Sequence, residues 1–387
     1  MPYVHLFFPE NDLALAANLS NYTPPKMAMA MHLSGEPLPM WYGAPGDVFI
    51  CRGINAHWLT TMRQAFALET DVWPHRCEGY TPRPWGWSMA VRREFRFAGF
   101  SDNQLPSDTD LLSIRQLSHR RTSAEVFKLC SPFLHDVPCT DKPIEAHSVD
   151  ETISLVDKYG GDAVLKSPWS NAGRGLVFTR CYGKEALIER IADIISAYGS
   201  VMVERRYDRL IDFATLFEAF DDGTVRYCGL SLFEADRLGA YTRNIVARDD
   251  ILISLINRYI DVSKLQLLIA AQEVALAKII NAQYTGLLGI DMFVAESAQG
   301  FLLNPCCELN LRTSMGHVAH SLAANILAPG LKATLAAVPN PYYNSPKVPD
   351  NPLQNAEVRN NRLQAGTLIL NRTTSRFLFT LNVENEM

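Results

Sequence analysis

The chain has 387 residues, of which 48% are apolar and 20% charged, with a formal net charge of −5 and a pI near 6.0. This length exceeds what a single hydrophobic core holds, so we expect two or three subdomains. The mildly acidic balance gives no dominant basic field for nucleic acid, although a local basic patch stays open.

The sequence also argues against export and against a membrane span. Residues 1–8 lack a basic segment followed by a long apolar one, which predicts a buried strand rather than a signal peptide. No run of about 18 apolar residues exists. The eight cysteines are scattered without a C-x-x-C pair, so neither a disulfide framework nor a zinc site is expected. These features together favour a cytoplasmic protein.

The N-terminal third predicts an α/β unit. A strand over 3–8 and an apolar run over 48–50, with helical patterns between strands, indicate a partly parallel sheet. The polar segment 9–12 follows the first strand, where such sheets place ligand-binding loops. Capping of a helix by Asn11 or Asp12 is an equally good interpretation. Trp85 and Trp87 precede a helical stretch over 88–97 and are expected to pack in the core.

The middle of the chain alternates helices and strands. A helical pattern covers 111–134 and another covers 184–198. Between them, apolar strands over 163–166 and 176–178 flank a loop that contains Gly173 and Gly175. A short strand over 201–204 follows.

Two hairpins dominate the remainder. Strands over 213–220 and 225–233 flank Asp221-Asp222-Gly223, a strong turn signal. After helical patterns over 251–260 and 265–280, strands over 286–295 and 301–303 form the second hairpin. A helix is expected to start near Met315 and to run toward Leu327. Residues 339–355 are rich in proline and predict a loop or strap, and strands over 367–370 and 377–381 follow.

The loop after Lys166 is the first chemical signal. A lysine that ends an apolar strand, followed by small residues and glycines, gives a hairpin tip whose amides can approach phosphates. A Walker loop is excluded because G-x-x-x-x-G-K-[ST] is absent and a strand follows instead of a helix. By itself the hairpin is also compatible with an ordinary flexible turn.

The second chemical signal is a pair of carboxylates with an amide. Asp291 lies within an apolar strand, where a carboxylate needs a partner or a cation. Glu308 and Asn310 are two positions apart and therefore share a face of an extended chain. Across the second hairpin Asp291 can join them, and oxygen ligands of this kind suit Mg²⁺.

Taken in order, the lysine strand, the glycine-containing hairpin, the strand that ends in Glu204 and the D…E-x-N pattern resemble the ATP-grasp superfamily of carboxylate-amine ligases. The resemblance covers about residues 111–330. It implies an α/β (α+β grasp) protein, in which an α/β domain precedes two α+β lobes that hold ATP between them. The implied divisions are an N-terminal domain over 1–110, a small lobe over 111–205, a large lobe over 206–338, and a Pro/Asn-rich strap with a β tail over 339–387.

The resemblance also implies roles for individual residues. Glu204 and the backbone up to Tyr207 would form the hinge at adenine, and Asp212, with Asp208 as its nearest competitor, would bind ribose. Arg120 or Arg121 would replace the second phosphate lysine of the family. Magnesium would be held by Asp291, Glu308 and Asn310. The phosphates would meet Lys166 and the loop residues Ser170, Asn171, Gly173, Arg174 and Gly175.

Two arginines are candidates for catalysis. Arg243 follows a strand, and Arg312 lies two positions beyond Asn310 on the same extended face; guanidinium groups suit a transferring phosphoryl or a substrate carboxylate. For each, a surface ion pair is the alternative. His317 is interpreted as packing at a helix N-terminus, and Cys306 and Cys307 as core packing.

The implied function is an ATP- and Mg²⁺-dependent ligase that activates a carboxylate as an acyl phosphate for attack by an amine. A kinase on the same fold and a non-catalytic nucleotide-binding protein are the alternatives. The expected partners are small-molecule carboxylates and amines, with no nucleic acid and no membrane, and a homodimer stays open. We expect the acceptor pocket between residues 1–110 and the 240–320 region, with walls that include Glu10, Asn11, Asp12, Trp85 and Trp87.

Overall fold

The structure is a computed structural model that describes residues 1–170, 175–298, 300–343 and 353–384. The described elements form three sheets with helices packed against them. The helices are α1 (Asn11–Ala17), α2 (Lys26–Gly35), α3 (Ala56–Phe66), α4 (Met89–Phe97), α5 (Asp108–Leu117), α6 (Arg121–Cys130), α7 (Val149–Lys158), α8 (Lys184–Tyr198), α9 (Asp249–Ile256), α10 (Val262–Ile280) and α11 (Met315–Asn325).

The N-terminal domain is the predicted α/β unit. Its strands are β1 (Tyr3–Leu6), β2 (Val48–Phe49), β3 (Asp71–Val72) and β4 (Thr81–Pro84). They pair in parallel in the order β3-β2-β1-β4. The predicted strand over 3–8 therefore lies in the middle of its sheet. The segment after it opens helix α1, in which Glu10 is the N-cap residue and Asn11 is the first helical residue.

The small lobe is a four-stranded antiparallel sheet in the order β5-β8-β6-β7. Its strands are β5 (Ile144–Ala146), β6 (Ala163–Lys166), β7 (Leu176–Phe178) and β8 (Val201–Arg205), and α7 and α8 pack beside it. Lys166 pairs with Leu176 across β6 and β7, which confirms the predicted hairpin. A separate core of small aliphatic residues, centred on Leu165, Ile191 and Val203, holds this lobe together.

The third sheet has nine strands in the order β13-β12-β9-β10-β11-β14-β17-β16-β15. The strands are β9 (Arg209–Ala219), β10 (Val225–Ala235), β11 (Tyr241–Val246), β12 (Gly286–Ser297), β13 (Gly300–Asn310), β14 (Ala333–Pro339), β15 (Ala356–Arg359), β16 (Arg362–Ile369) and β17 (Phe377–Val383). Both predicted hairpins are present. Gly223, at φ +81° in the first turn, occupies the left-handed region that glycine adopts without strain.

Two predicted boundaries differ from the structure. The helical pattern over 111–134 breaks at residues 118–120 into α5 and α6. Both helices pack in the core of the large sheet through residues such as Ile114, Val126 and Phe127. Residues 111–134 therefore lie with the large lobe, not with the small one. The reason is the apolar face of α6, which contacts β13 and α10.

The C-terminal strands extend the large sheet instead of forming an independent tail. Pro339 ends β14, and residues 344–352 of the predicted strap lie outside the described part of the chain. Strand β17 pairs with β14 along seven positions. The indole of Trp41 donates a hydrogen bond of 2.7 Å to the carbonyl of Leu370, and Phe7 and Phe379 pack edge to face. The C-terminal strands thus complete the core of the N-terminal domain.

All eight cysteines have free thiols, as the sequence predicts. Among the described residues, no helix is both long enough and apolar enough to cross a membrane.

Candidate functional site

The second hairpin brings the three predicted metal ligands together. Asp291 on β12 pairs with Glu308 on β13, and the Asn310 amide donates a hydrogen bond of 3.0 Å to the Asp291 carboxylate. Opposite Met292, β13 contains a bulge that runs from Pro305 to Cys307. The bulge shifts the register of the two strands so that Glu308 lies opposite Asp291. Proline cannot donate to a strand ladder and is common at bulges. The predicted proximity is therefore observed.

The two carboxylates repel each other. Burial, with Glu308 as the next cause, raises the pKa of Asp291 to about 7, and the positive charge of Arg312 opposes the shift. Within the described residues, no three or more His, Cys, Asp or Glu side chains gather as metal ligands. Two carboxylates and one amide nevertheless fit Mg²⁺, which is usually held by one or two carboxylates with substrate phosphates.

Arg120 connects this hairpin to the loop after Lys166. Its guanidinium lies 2.7 Å from the carboxylate of Glu308 and donates a hydrogen bond of 2.9 Å to the Ser170 hydroxyl. Arg121, in contrast, is exposed at the start of α6. Of the two arginines that the sequence leaves open, the structure brings Arg120 to the site.

The loop itself is described only in part. Asn171, Gly173 and Arg174 lie outside the described residues. At its ends, Ser170 is buried and Gly175 accepts a hydrogen bond of 3.0 Å from the amide of Ser167. A side chain at position 175 would lie about 3.0 Å from both Ser167 and Ser170.

Lys166 is buried between the two lobes. Its ammonium lies 2.7 Å from Glu204 and donates to the Cys307 sulfur at 3.4 Å. Burial opposes the charged form, but Cys307 and Glu204 outweigh it, so the pKa of Lys166 is raised and the ammonium stays charged. The sequence interpretation of Cys307 as core packing is thus incomplete, because its thiol contacts a site residue. Cys306 is fully buried among core residues, as predicted.

Arg209 belongs to the same group, although the sequence did not single it out. Its guanidinium bonds Asp212 at 2.8 Å, donates to Cys307 at 3.6 Å and lies 4.2 Å from the ring centre of Phe293. Positions three apart on a regular strand point to opposite faces. A register shift between β9 and β12 at Leu210 interrupts this alternation of faces. The alternation in the sequence could therefore not have paired Arg209 with Asp212.

Beside these cations lies a small apolar patch of Phe293, Ala295 and Cys307, with Tyr207 packed against it. The Tyr207 hydroxyl donates to the Asp141 carboxylate at 3.0 Å and accepts from the Asp141 amide at 2.8 Å. The patch is separate from the three large cores. It lies where Glu204, Tyr207 and Asp212, the predicted nucleotide residues, come together.

Arg312 and Arg243 have different surroundings. Arg312 is partly buried, its guanidinium bonds Asp12 at 2.8 Å, and it lines a cavity with Asp291 and Glu308. Gly86 permits this approach, because a Cβ there would lie 2.6 Å from the Asn11 amide and 2.8 Å from Arg312.

Arg243 does not reach the site, and its predicted catalytic role is corrected here. It forms an exposed two-point ion pair with Glu234. Thr242 and Asn244 point to the cavity, so strand alternation turns Arg243 to the opposite face of the sheet.

The cavity has a volume of about 700 Å³ and lies between the N-terminal domain and the large sheet, where the sequence predicts the acceptor pocket. Glu10 and Trp85 contribute to its wall, so Trp85 does more than pack. Phe377 and Phe379 also line it. Their contribution was not predicted, because nothing in the local sequence indicates that β17 reaches the first domain.

His317 has the predicted role at a helix N-terminus. Ser314 is the N-cap residue of α11, and its amide donates to the His317 ring at 3.1 Å in a capping box. Burial lowers the pKa of His317 to about 3, so the ring is neutral and serves the helix.

No protein-family model and no curated protein matches this sequence. Among solved structures, the biotin carboxylase–β,γ-ATP complex from Campylobacter jejuni is similar, with 11% identity, a TM-score of 0.51, and 100% of this chain and 88% of that chain covered. N5-carboxyaminoimidazole synthetase from Staphylococcus aureus, complexed with ADP, matches with 12% identity, a TM-score of 0.49, and coverage of 100% and 95%. The similarity at this level of identity concerns the fold, and the chain has the predicted ATP-grasp fold.

Proposed function

We propose that this protein is an ATP- and Mg²⁺-dependent ligase that activates a carboxylate as an acyl phosphate for capture by an amine. One observation carries the proposal. Glu308 and Asn310 line the large cavity on one side and, on the other, a narrow cleft that contains Arg120 and Ser170. A γ-phosphoryl group held at these residues would lie between a nucleotide in the lobe interface and a substrate in the cavity.

The lobe interface has the chemistry that a nucleotide needs. The patch of Phe293, Ala295 and Cys307 offers an apolar surface for a base. Lys166 and Arg209 converge on the Cys307 sulfur, at 3.4 and 3.6 Å, and supply two positive charges beside that surface. Asp212, which Arg209 orients, is the candidate partner of ribose hydroxyls. Preorganised cations of this kind stabilise phosphates and the charge that develops during transfer.

The metal would supply charge neutralisation at the phosphates when bound, and Asp291, Glu308 and Asn310 would hold it. Arg312 is the cation of the cavity and would orient the substrate carboxylate through paired N–H donors. A carboxylate oxygen attacks the γ-phosphorus, the bond to the β,γ-bridging oxygen breaks, and ADP leaves. The amine then attacks the acyl carbon and inorganic phosphate leaves with its electron pair.

The test traps the acyl phosphate with a general nucleophile. Purified protein is incubated with Mg-ATP, hydroxylamine and a panel of carboxylic acids, and hydroxamate is measured together with ADP. We expect one class of acid to give equal amounts of both products. With that acid labelled by ¹⁸O in its carboxylate, one labelled oxygen should appear in inorganic phosphate.

Other outcomes would contradict the proposal in distinguishable ways. Transfer of phosphate to a stable hydroxyl product, without free phosphate, would identify a kinase. A rise in melting temperature with Mg-ATP, but no turnover with any panel member, would favour a nucleotide-binding protein without catalysis. No rise in melting temperature would remove the basis of all three functions.

A further inference from the structure

Glu10 is a buried carboxylate in the wall of the cavity, and one of its oxygens lacks a hydrogen-bond partner among the described residues. It is 2% exposed and lines the cavity wall. One carboxylate oxygen bonds the His32 ring at 2.8 Å. The other oxygen, Oε2, is fully buried and has no hydrogen-bond partner among the described residues. A buried acceptor without a donor is costly, so this oxygen is suited to a ligand that brings one.

The charge of the wall indicates which kind of donor. In the part of the chain that the structure describes, the charged residues that line the cavity are four acids and one base, namely Glu10, Asp236, Asp291, Glu308 and Arg312. Arg312 is paired with Asp12, and Asp291 and Glu308 are the candidate metal ligands.

Asp236 differs from Glu10 because its side chain is exposed to water. One of its oxygens accepts the amides of Leu238 and Ala240 within its own turn. Among the described residues of the wall, Glu10 is therefore the acid outside the candidate metal site that is buried and has an oxygen without a partner, and a positively charged donor fits it best.

The surroundings of Glu10 are apolar. Leu13 on α1, with Met27 and Met31 on α2, lines the same part of the wall as Glu10. Methionine side chains are flexible and adapt to ligands of different shape. His32 holds the Glu10 side chain from behind, since its ring contacts Glu10 and packs edge to face on Phe8.

We propose that the amine substrate of this ligase is an amphipathic alkyl or aryl amine, whose ammonium group binds Glu10 and whose apolar body packs on Leu13, Met27 and Met31. The ammonium passes one proton to the Glu10 carboxylate, and the neutral nitrogen is then the nucleophile. This proposal rests on the proposed ligase function, because it describes the bound amine as a substrate. The binding site itself does not, because it can be measured without nucleotide.

Four probes test it on the nucleotide-free full chain by calorimetry and ligand-observed NMR: hexylamine, hexanol, hexanoate and ethylamine. We expect hexylamine to bind about tenfold or more tightly than hexanol, the effect of one charge-assisted hydrogen bond. Ethylamine should bind more weakly than hexylamine because it lacks the apolar body. Hexanol binding as tightly as hexylamine in the unchanged protein would overturn the proposal. Hexanoate can bind Arg312 in the same cavity and serves as the reference for that separate subsite.

The variant Glu10→Gln should remove the preference for hexylamine over hexanol. Glu94→Gln is the matched control, since Glu94 pairs with Arg52 in the same domain, outside the cavity. A preference that survives Glu10→Gln would also overturn the proposal. If Glu10→Gln does not fold, the comparison of probes in the unchanged protein still decides. Failure of ADP release with intact amine binding would count against the ligase function alone.

Discussion

Arg120 bonds Glu308 across 2.7 Å, so the residue that precedes α6 is tied to the strand that carries a candidate metal ligand. The same guanidinium holds Ser170 at the start of the loop between β6 and β7. One side chain thus joins the two lobes at the point where we propose phosphoryl transfer. The predictions below begin with this contact.

Arg120 and Arg121 are adjacent and chemically identical, which makes them a matched pair. We expect Arg120→Lys to lower ADP release by about tenfold or more, since an ammonium cannot bond Glu308 and Ser170 in the same planar geometry. Arg121 is exposed, so the variant Arg121→Lys should leave turnover unchanged. Equal effects of the two variants, measured in the hydroxamate assay, would contradict the assignment of Arg120.

Asp291→Asn should separate stability from activity. We expect Asp291→Asn to raise the free energy of unfolding without Mg²⁺ by about 1–3 kcal/mol, because it removes a buried charge beside Glu308. The same change should lower Mg²⁺-dependent turnover by about a hundredfold or more. Urea unfolding and ADP release measure the two effects. A variant that is more stable and fully active would exclude Asp291 as a metal ligand.

The ion pair of Lys166 and Glu204 allows a double-variant test. Lys166→Met leaves the buried Glu204 without its cation, so we expect a loss of about 3–5 kcal/mol in the free energy of unfolding. Adding Glu204→Gln removes the remaining charge and should restore most of that loss. Mg-ATP should raise the melting temperature of each variant less than it raises that of the unchanged protein. A strong rise in melting temperature with Mg-ATP in the double variant would show that Lys166 does not contact nucleotide.

Arg312 and Arg243 provide a comparison of a partly buried and an exposed arginine. Replacing Arg312 by lysine keeps the charge next to Asp12 but loses the paired donors, so turnover should fall by about tenfold or more. Arg243→Lys alters an exposed ion pair and should change stability by less than about 1 kcal/mol, with no effect on turnover. Loss of activity in Arg243→Lys would make Arg243 a catalytic candidate again.

The free energy of unfolding should fall in mild acid, because His317 binds a proton more readily in the unfolded chain than in the folded one. Burial lowers its pKa to about 3 in the folded state, whereas histidine in an unfolded chain titrates near pH 6.5. The unfolded state therefore binds more protons below that pH, and stability falls as the pH decreases. Near pH 5 the loss from His317 alone is about 2 kcal/mol relative to pH 7.

The variant His317→Gln tests this, because glutamine at the same position preserves a capping box with Ser314. Urea unfolding at both pH values should show a smaller difference for the variant. His135→Gln, at a side chain that is 75% exposed, should leave the difference unchanged. An equal pH dependence in all three proteins would show that His317 titrates normally.

The sequence predicted the elements whose signals are local. The hairpin around Gly223 follows from turn chemistry, which acts over a few residues. The pairing of Asp291 with Glu308 depends in addition on the bulge opposite Met292, which regular alternation does not predict. The ATP-grasp fold followed from the order of such elements along the chain. The fold could therefore be predicted from the sequence, whereas the metal-binding role of the central carboxylates stays a prediction.

What the sequence could not predict depends on irregular backbone or on distant packing. Arg209 joins the site because a register shift changes the parity of β9. Arg243 faces away because β11 points its neighbours into the cavity. Phe379 reaches the first domain through a nine-stranded sheet that residues 209–383 build. None of these arrangements has a short-range signature.

The contact between Trp41 and Leu370 joins residues 329 positions apart, and it has a consequence for biosynthesis. Domains generally fold in order as they leave the ribosome. Here the N-terminal sheet emerges first but lacks Phe379 and Leu381, which are buried in its core. The nascent chain must therefore carry an incomplete and partly exposed apolar core through most of translation. We expect ribosome-bound intermediates of this protein to engage chaperones until β17 is released.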